Sequence, residues 1–532
     1  MRHEHDRRNR AEIVGDGAQT DRELNVETLS DKVRKWAATR PDLVLVWAGD
    51  VAVTSRQMDS RANQVANGLW QEGVAREGRI AILSKNTPVF YELLVGAERA
   101  EAVLVPINYR LSAKEILFIL DDAGVEVLFV SSELEPVFRQ IAASAKTVKK
   151  CIVIDAAQGY EVWRRPQDDR DPHRPVAGDA VSVQMYTSGT TGAPKGVLLT
   201  HANIVAALGS AAAAWGPWHT CDVLLVTMPQ YHIGASIWGM MGLWLGVPGV
   251  LMREFVPGEA LRLIQIHRAT KAQLAAVMMR MMLDDPAMTE VDLSSLELII
   301  YGASPAPLEL IRRARKEFGC GIAQGYGMTE VAGSLTYLAP RDHEEEFGER
   351  LKSAGRPMEG VEIRIVDPQG ATLPEGSIGE VVCRSAQVTP GYWSLPDATA
   401  QCLRDGWFHT GDLGRIDSDG YLYICDRLKD MIVSGGENIY PAEVEAVLSL
   451  HPAVREVAVF GVPDQRWGES PKAVVVLNTD ATASPEGLIE FVRARLARYK
   501  APRSIEFVAS LPRNASGKVL KRELRKAYST GR

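Results

Sequence analysis

The stretch 186–197 reads Tyr-Thr-Ser-Gly-Thr-Thr-Gly-Ala-Pro-Lys-Gly-Val. It sets Thr187, Ser188, Thr190 and Thr191 around Gly189 and Gly192, then adds Lys195. Glycines let backbone N–H groups crowd inward, hydroxyls add donors and the lysine adds positive charge, a combination suited to a polyphosphate. It is not a Walker A loop, because Gly196 follows Lys195 and the Gly-Lys pair is missing. The same residues also read as a surface hairpin rich in turn formers. In Gln324-Gly325-Tyr326-Gly327-Met328-Thr329-Glu330, the tyrosine offers a ring for stacking, the threonine a donor for a phosphate and the glutamate a carboxylate for Mg2+. A tight turn with a packed tyrosine is the alternative. Asp412, behind Gly411, offers acceptors for two ribose hydroxyls or serves as a turn aspartate. His232 closes Pro229-Gln230-Tyr231-His232 just ahead of the uncharged stretch 233–252, so it edges a pocket or packs as a core histidine. Lys518 ends a Gly-Ser loop in a basic terminal region that also holds Lys521, Arg522, Arg525 and Lys526.

These residues need elements to hold them. Apolar β-type residues flank the Thr/Gly loop on both sides, which predicts strand, loop, strand. Upstream, the pattern predicts helices over 29–39, 55–69, 88–100 and 112–122. Between them it predicts a hairpin around Gly49-Asp50 and strands over 79–83, 103–106, 125–130 and 151–155. Strands alternating with helices point to a mostly parallel sheet covered on both faces. A helix over 201–214, strands over 222–228, 272–277 and 296–301, and a helix over 308–318 continue the pattern. Sites in such sheets gather at strand ends. From 352 to 426, short strands and Asp/Gly turns predict a β-rich lobe. The charge run Asp426-Arg427-Leu428-Lys429-Asp430 precedes a second compact α/β unit. The expected division is a mobile tail over 1–22, a large domain over 23–428 and a small mobile α+β domain over 429–532.

The 532 residues, 46% of them hydrophobic, suffice for one large multi-layer domain and a smaller one. A net charge of −7 gives no basic bias, so nucleic acid is not an expected partner. Six scattered cysteines without a Cys-x-x-Cys pair indicate neither a zinc knuckle nor a disulfide framework, and a reducing cytoplasm is the expected setting. The amino terminus has no apolar core and does not read as a secretory signal. The stretch 233–252 has the length of a membrane span, but its glycines and Pro248 favour a buried helix and turn beside an apolar pocket. Peripheral membrane contact and a homodimer stay open.

The order of these signals is the strongest pattern in the chain. Tyr-Thr-Ser-Gly-Thr-Thr-Gly-x-Pro-Lys-Gly is followed by Tyr-Gly-x-Thr-Glu, Thr-Gly-Asp, Asp-Arg-x-Lys-Asp with Ser-Gly-Gly-Glu-Asn-Ile-x-Pro, and Pro-Arg-x-x-x-Gly-Lys. This series resembles the adenylate-forming superfamily over about residues 29–526, and within it the bacterial fatty-acyl-CoA and related acyl-CoA ligases.

The resemblance implies a two-step reaction. A carboxylate attacks the α-phosphate of Mg-ATP to give acyl-adenylate and pyrophosphate, and the thiol of CoA then displaces AMP. It implies catalytic roles for Lys518, Glu330, Thr329 and His232. Nucleotide contacts would come from Thr187, Ser188, Gly189, Thr190, Thr191, Gly192 and Lys195 on the polyphosphate. Gly302, Ala303, Ser304, Gln324, Gly325, Tyr326, Gly327 and Met328 would surround adenine, with Asp412 and Arg427 on ribose. Glu330 and Thr187 would hold Mg2+, and Lys429 would be the hinge of a domain rotation. Ser434, Gly435, Gly436, Trp467, Tyr499 and Arg503 would meet CoA. Tyr231, His232, Gly234, Trp238 and Tyr301 would wall an apolar acyl pocket, with Trp238 and Trp244 either shortening it or stacking on a ring. Amino-acid-activating relatives carry an aspartate where this chain has Gly234, and no carrier-protein segment follows Lys526, so a peptide-synthetase module is not expected. The implied substrate is a fatty, sterol-side-chain or aryl acid of benzoate or coumarate type. An acyl-AMP ligase that loads a carrier protein is the other reading.

Overall fold

The computed structural model describes residues 27–187, 194–302, 306–344, 348–434, 437–513 and 519–529. Four sheets organise them. The first has six strands, in the order Lys150–Val153, Val125–Val130, Arg79–Leu83, Val103–Ile107, β1 (Val181–Thr187) and β2 (Lys195–Thr200). Its strands pair in parallel except β1 and β2, which run antiparallel with Thr187 opposite Lys195. β2 runs directly into helix α1 (His201–Trp215). Thr200 caps that helix by accepting from the Asn203 amide at 3.1 Å, and Asn203 Oδ1 accepts from the Thr200 amide at 3.0 Å. Asn203 Nδ2 also donates to the carbonyls of Ala386 and Val388 at 2.9 and 2.8 Å, tying α1 to the β-rich lobe.

The second sheet has nine strands. At its centre β3 (Leu224–Val226), β4 (Lys271–Ala275), β5 (Leu298–Gly302) and β6 (Gly321–Met328) lie in parallel, and β7 (Gly333–Leu338) folds back against β6. Helix α2 (Ile233–Leu245) covers one face. Successive strand residues point to opposite faces. Val226, Leu298, Ile300 and Ala323 accordingly pack in the core that holds Trp238 of α2. Leu225, Ala272, Leu274, Ile299, Tyr301 and Ile322 pack in a separate core on the other face. Burial on both faces explains why these strands read as apolar runs rather than as alternating patterns.

The third sheet is the β-rich lobe: Glu362–Val366, Gly379–Arg384, β8 (Trp407–Ile416), Leu403–Arg404 and β9 (Leu422–Arg427), all antiparallel. The fourth is built wholly beyond residue 431, from Glu437–Ile439, β10 (Ile432–Ser434), β11 (Gly468–Leu477), Val454–Asp464 and Ser504–Phe507. One carboxylate bridges the third and fourth units. Asp426 on β9 accepts from the Arg427 amide through Oδ1 and from the Ala442 amide through Oδ2, both at 2.7 Å. Ala442 lies in the first turn of α3 (Pro441–Leu448), where backbone donors have no partner inside the helix.

One predicted strand changes, and two other stretches take definite form. The strand predicted over 272–277 stops at Ala275, and the methionine-rich run Ala276–Leu283 is a helix. Short apolar runs carry no period long enough to separate the two. Asp412 lies within a ten-residue strand rather than in a turn. The uncharged stretch becomes the 13-residue α2, a left-handed Gly246 and the strand Gly249–Leu251. Among the described residues no helix is long and apolar enough to cross a membrane.

Candidate active site

The carboxyl ends of β5 and β6 are packed closely enough to require glycine. Gly302 stands opposite Gly325, and a Cβ on Gly302 would lie 2.7 Å from the Gly325 carbonyl oxygen. A Cβ on Gly327 would run into the Gly333 carbonyl. The β6–β7 register shifts between Tyr326 and Gly327, an irregularity that re-aims the tyrosine. Tyr326 Oη donates to Asp412 Oδ2 at 2.6 Å, and Arg427 Nε donates to Asp412 Oδ1 at 2.7 Å. Asp412 and Arg427 face each other across β8 and β9, and Asp412 is only 2% exposed. Burial, then the Asp412 carboxylate, hold the Tyr326 hydroxyl well above its ordinary pKa, so it remains a donor.

Glu330 follows β6 in the short turn Thr329–Val331. Tyr392 Oη donates to Glu330 Oε1 at 3.0 Å, and Lys195 Nζ stands 4.9 Å from the centre of the Tyr392 ring. One tyrosine thus touches both the lysine of the Thr/Gly loop and the glutamate. Its own segment is fixed by backbone bonds. The Thr389 amide donates to the Glu330 carbonyl at 2.8 Å, Leu198 to Gly391 at 3.1 Å, and Trp393 to Gly196 at 2.7 Å. Sequence reasoning missed Tyr392.

At the mouth of α2, the His232 ring lies 4.5 Å from the Tyr231 ring, which meets Tyr109 edge-on at 5.4 Å. Burial, with Arg110 adding to it, lowers the His232 imidazole to about 4, so it is neutral at pH 7. Gly234 follows in the first turn of α2, with Met228 and Gln273 across from it. Trp238 is 1% exposed, packs with Trp215 and Trp218 at 5.6 and 6.3 Å, and donates its indole N–H to the Leu225 carbonyl at 2.9 Å. Trp244 carries Lys32 on its ring at 4.4 Å. The expectation for Tyr301 is corrected. It points to the face away from α2, and its hydroxyl bonds Gln324 Oε1 at 3.1 Å and meets His343 Nε2 at 3.3 Å. Its neighbour Ile300 shares the Trp238 core instead.

Beyond residue 431, Ser434 pairs with Gly468, beside Trp467, and the Trp467 ring lies 5.5 Å from the Arg503 guanidinium. Tyr499 is exposed on the turn Arg498–Lys500. Lys429 is exposed between Leu428 and Asp430. Ser188, Gly189, Thr190, Thr191, Gly192, Ala303, Ser304, Gly435, Gly436 and Lys518 lie outside the described residues.

Glu330 and Thr187 supply oxygen donors of the hard kind that Mg2+ takes. With Tyr392 on Oε1, Glu330 Oε2 carries no hydrogen bond among the described residues. Those residues also include no cluster of three or more His, Cys, Asp or Glu able to hold a metal. The donor set therefore fits a divalent ion that takes most of its ligands from substrate phosphates and water.

A Tyr–Asp–Arg cluster on β6, β8 and β9 and a Glu–Tyr–Lys cluster just beyond β6 are the polar groups gathered at this end of the sheet. The sequence model described as AMP-binding enzyme matches residues 33–393, the one described as AMP-binding enzyme C-terminal domain matches 443–518, and the chain belongs to this family. It is 38% identical over 507 residues to the fatty acid–[acyl-carrier-protein] ligase ScoC of Streptomyces coeruleorubidus, covering 94% of this chain and 97% of that one. It is 39% identical over 489 residues to the long-chain-fatty-acid–CoA ligase FadD13 of Mycobacterium tuberculosis, covering 90% and 94%. The o-succinylbenzoate CoA synthetase of Bacillus subtilis in complex with its acyl-adenylate intermediate superposes with a TM-score of 0.84 at 31% identity, over 94% of this chain and 98% of that one. The protein is an AMP-forming acid–thiol ligase that uses ATP and a carboxylic acid.

Proposed function

We propose that this ligase activates a largely apolar carboxylic acid and passes the acyl group to CoA, in the cytoplasm. The observation that carries the reading is that the Tyr326–Asp412–Arg427 and Glu330–Tyr392–Lys195 clusters are anchored on β6 and on the turn that follows it. In the first step a carboxylate oxygen forms a bond to the α-phosphorus, and the bond to the pyrophosphate oxygen breaks. Both partners are anions, so the step needs positive charge on the phosphates. Mg2+, held by Glu330 and Thr187, supplies part of that charge when bound. Lys195 serves the leaving pyrophosphate and Lys518 the reacting phosphorus. Asp412 and Arg427 hold the ribose, and Tyr326, fixed through its hydroxyl, offers its ring to adenine. His232, being neutral, gives the incoming carboxylate a donor without a titrating charge. In the second step the CoA sulfur bonds the acyl carbon, and AMP and the thiol proton are released. The apolar row of Val226 and Ile300 under α2 supports a largely apolar acid.

The test is AMP release across a panel of aliphatic, aryl and sterol-side-chain acids, with and without CoA. Turnover that needs both an acid and CoA supports the reading, and no AMP with any acid refutes it. The likeness to ScoC favours a carrier protein as the other acceptor. Acyl transfer to a carrier with CoA inert would establish that acceptor.

A further inference from the structure

Gln273 is a polar residue between buried apolar neighbours. It lies in β4 between Ala272 and Leu274, both fully buried. β4 is hydrogen-bonded along both edges, with Gln273 in register with Val226 of β3 and Ile300 of β5. Residues in register on parallel strands share a face. Val226 and Ile300 pack in the Trp238 core, so Gln273 points toward α2. There it meets Gly234, where a Cβ would stand 3.8 Å from Gln273 Nε2, 3.9 Å from Oε1 and 3.6 Å from Met228 Cε. Those are ordinary contact distances, so the missing side chain leaves space in front of the amide. Gln273 retains partial exposure in mid-sheet, yet its Oε1 is buried and has no hydrogen-bond partner among the described residues.

A buried amide oxygen without a partner costs folding free energy that a ligand donor in the same place recovers. We infer that Gln273 is a specificity-determining residue of the acid pocket and that the preferred acid carries a hydroxyl group that bonds its amide. This deepens the reading of the chain as an acid–CoA ligase and rests on it. A hydroxyl both donates and accepts, so it suits the amide in either orientation. A site built around such a bond discriminates against the analogue lacking it, because the amide is then left unpaired. Beside it stand the apolar Val226, Ile300 and Trp238, so the acid is largely apolar apart from this group.

The experiment uses the full chain and matched acid pairs: cinnamic and para-hydroxycinnamic, benzoic and hydroxybenzoic, decanoic and its hydroxydecanoic isomers. Pyrophosphate release gives kcat and KM for each member with wild type, Gln273→Met and Gly234→Ala. In wild type at least one hydroxylated member is expected to exceed its partner by about tenfold to a hundredfold in kcat/KM, mainly through KM. Gln273→Met should bring that ratio near one by raising KM for the hydroxylated acid. Gly234→Ala fills the space in front of the amide, its Cβ at contact distance from Nε2 and Oε1 while Gln273 itself is kept, and should lower the same ratio, which carries the test if the methionine variant does not fold. A ratio unchanged in the variants, or no pair favouring the hydroxyl, overturns the inference while leaving the ligase reading intact. No AMP from any acid overturns both.

Discussion

Tyr392→Phe tests whether one hydroxyl aligns the phosphate site. The substitution removes the 3.0 Å bond from Oη to Glu330 Oε1 and keeps the ring beneath Lys195. A hydrogen bond to a charged group contributes about 1.5–3 kcal/mol, and each 1.36 kcal/mol is a factor of ten, so the expected loss is about tenfold to a hundredfold. It should fall on adenylate formation, measured by ATP–pyrophosphate exchange, as a raised requirement for Mg2+ and a raised KM for Mg-ATP. Thioester formation from supplied acyl-adenylate and CoA needs no polyphosphate contact and should be unchanged. Tyr392→Leu also removes the ring under Lys195, which at a partly exposed site is about 0.5–1 kcal/mol more, or two- to fivefold. Calorimetry of Mg-ATP binding gives an independent readout. Equal loss in both half-reactions, or exchange within about threefold of wild type, would refute the reasoning. Glu330→Gln in parallel separates a failure of Tyr392 from a failure of Glu330 as the metal carboxylate.

Three further outcomes are expected. Lys518→Ala should cut adenylate formation far more than thioester formation from supplied acyl-adenylate; comparable losses in the two assays would count against Lys518 acting at the α-phosphate. His232 takes up its proton near 6.5 when unfolded and near 4 when folded, so the stability from keeping it neutral is present above pH 6.5 and is lost as pH falls toward 4. The difference is about 3 kcal/mol, and His232→Gln should flatten the fall of melting temperature across that window, whereas an unchanged slope would contradict the assignment. Gly327→Ala forces a Cβ against the Gly333 carbonyl and should cost about 1–3 kcal/mol by denaturant unfolding, with weakened ATP binding, and a wild-type midpoint would show that β6 and β7 separate easily.

The features legible in the sequence were those with local causes. Strands alternating with helices gave the α/β class. The stretch 324–330 stood out by its glycines around a tyrosine, and the Gly302–Gly325 and Gly327–Gly333 approaches give the reason glycine is needed there. Asp412 and Arg427 belong to two sequence motifs that the resemblance brings together on ribose, and the β8–β9 register sets them opposite each other. Tyr301 was assigned to the wrong face because a strand buried on both sides has no polar alternation to reveal which way each residue points. Tyr392 left no local signal, since its importance comes from contacts with residues distant in the chain. Gln273 did leave one: a glutamine within the otherwise apolar Ala272-Gln273-Leu274. Its meaning depended on Gly234 standing opposite, which only the packing of α2 on β4 discloses.

The Asp426 carboxylate belongs to the β-rich lobe, but one of the amides it holds opens a helix of the next unit. Any swing of that unit about residues 427–431 must pull Ala442 N–H off its acceptor, because Asp426 stays with β9. The Ala442 amide is thus a native recorder of the swing: sheltered from deuterium while Asp426 holds it, open to exchange only during an excursion, and readable without substrate or turnover.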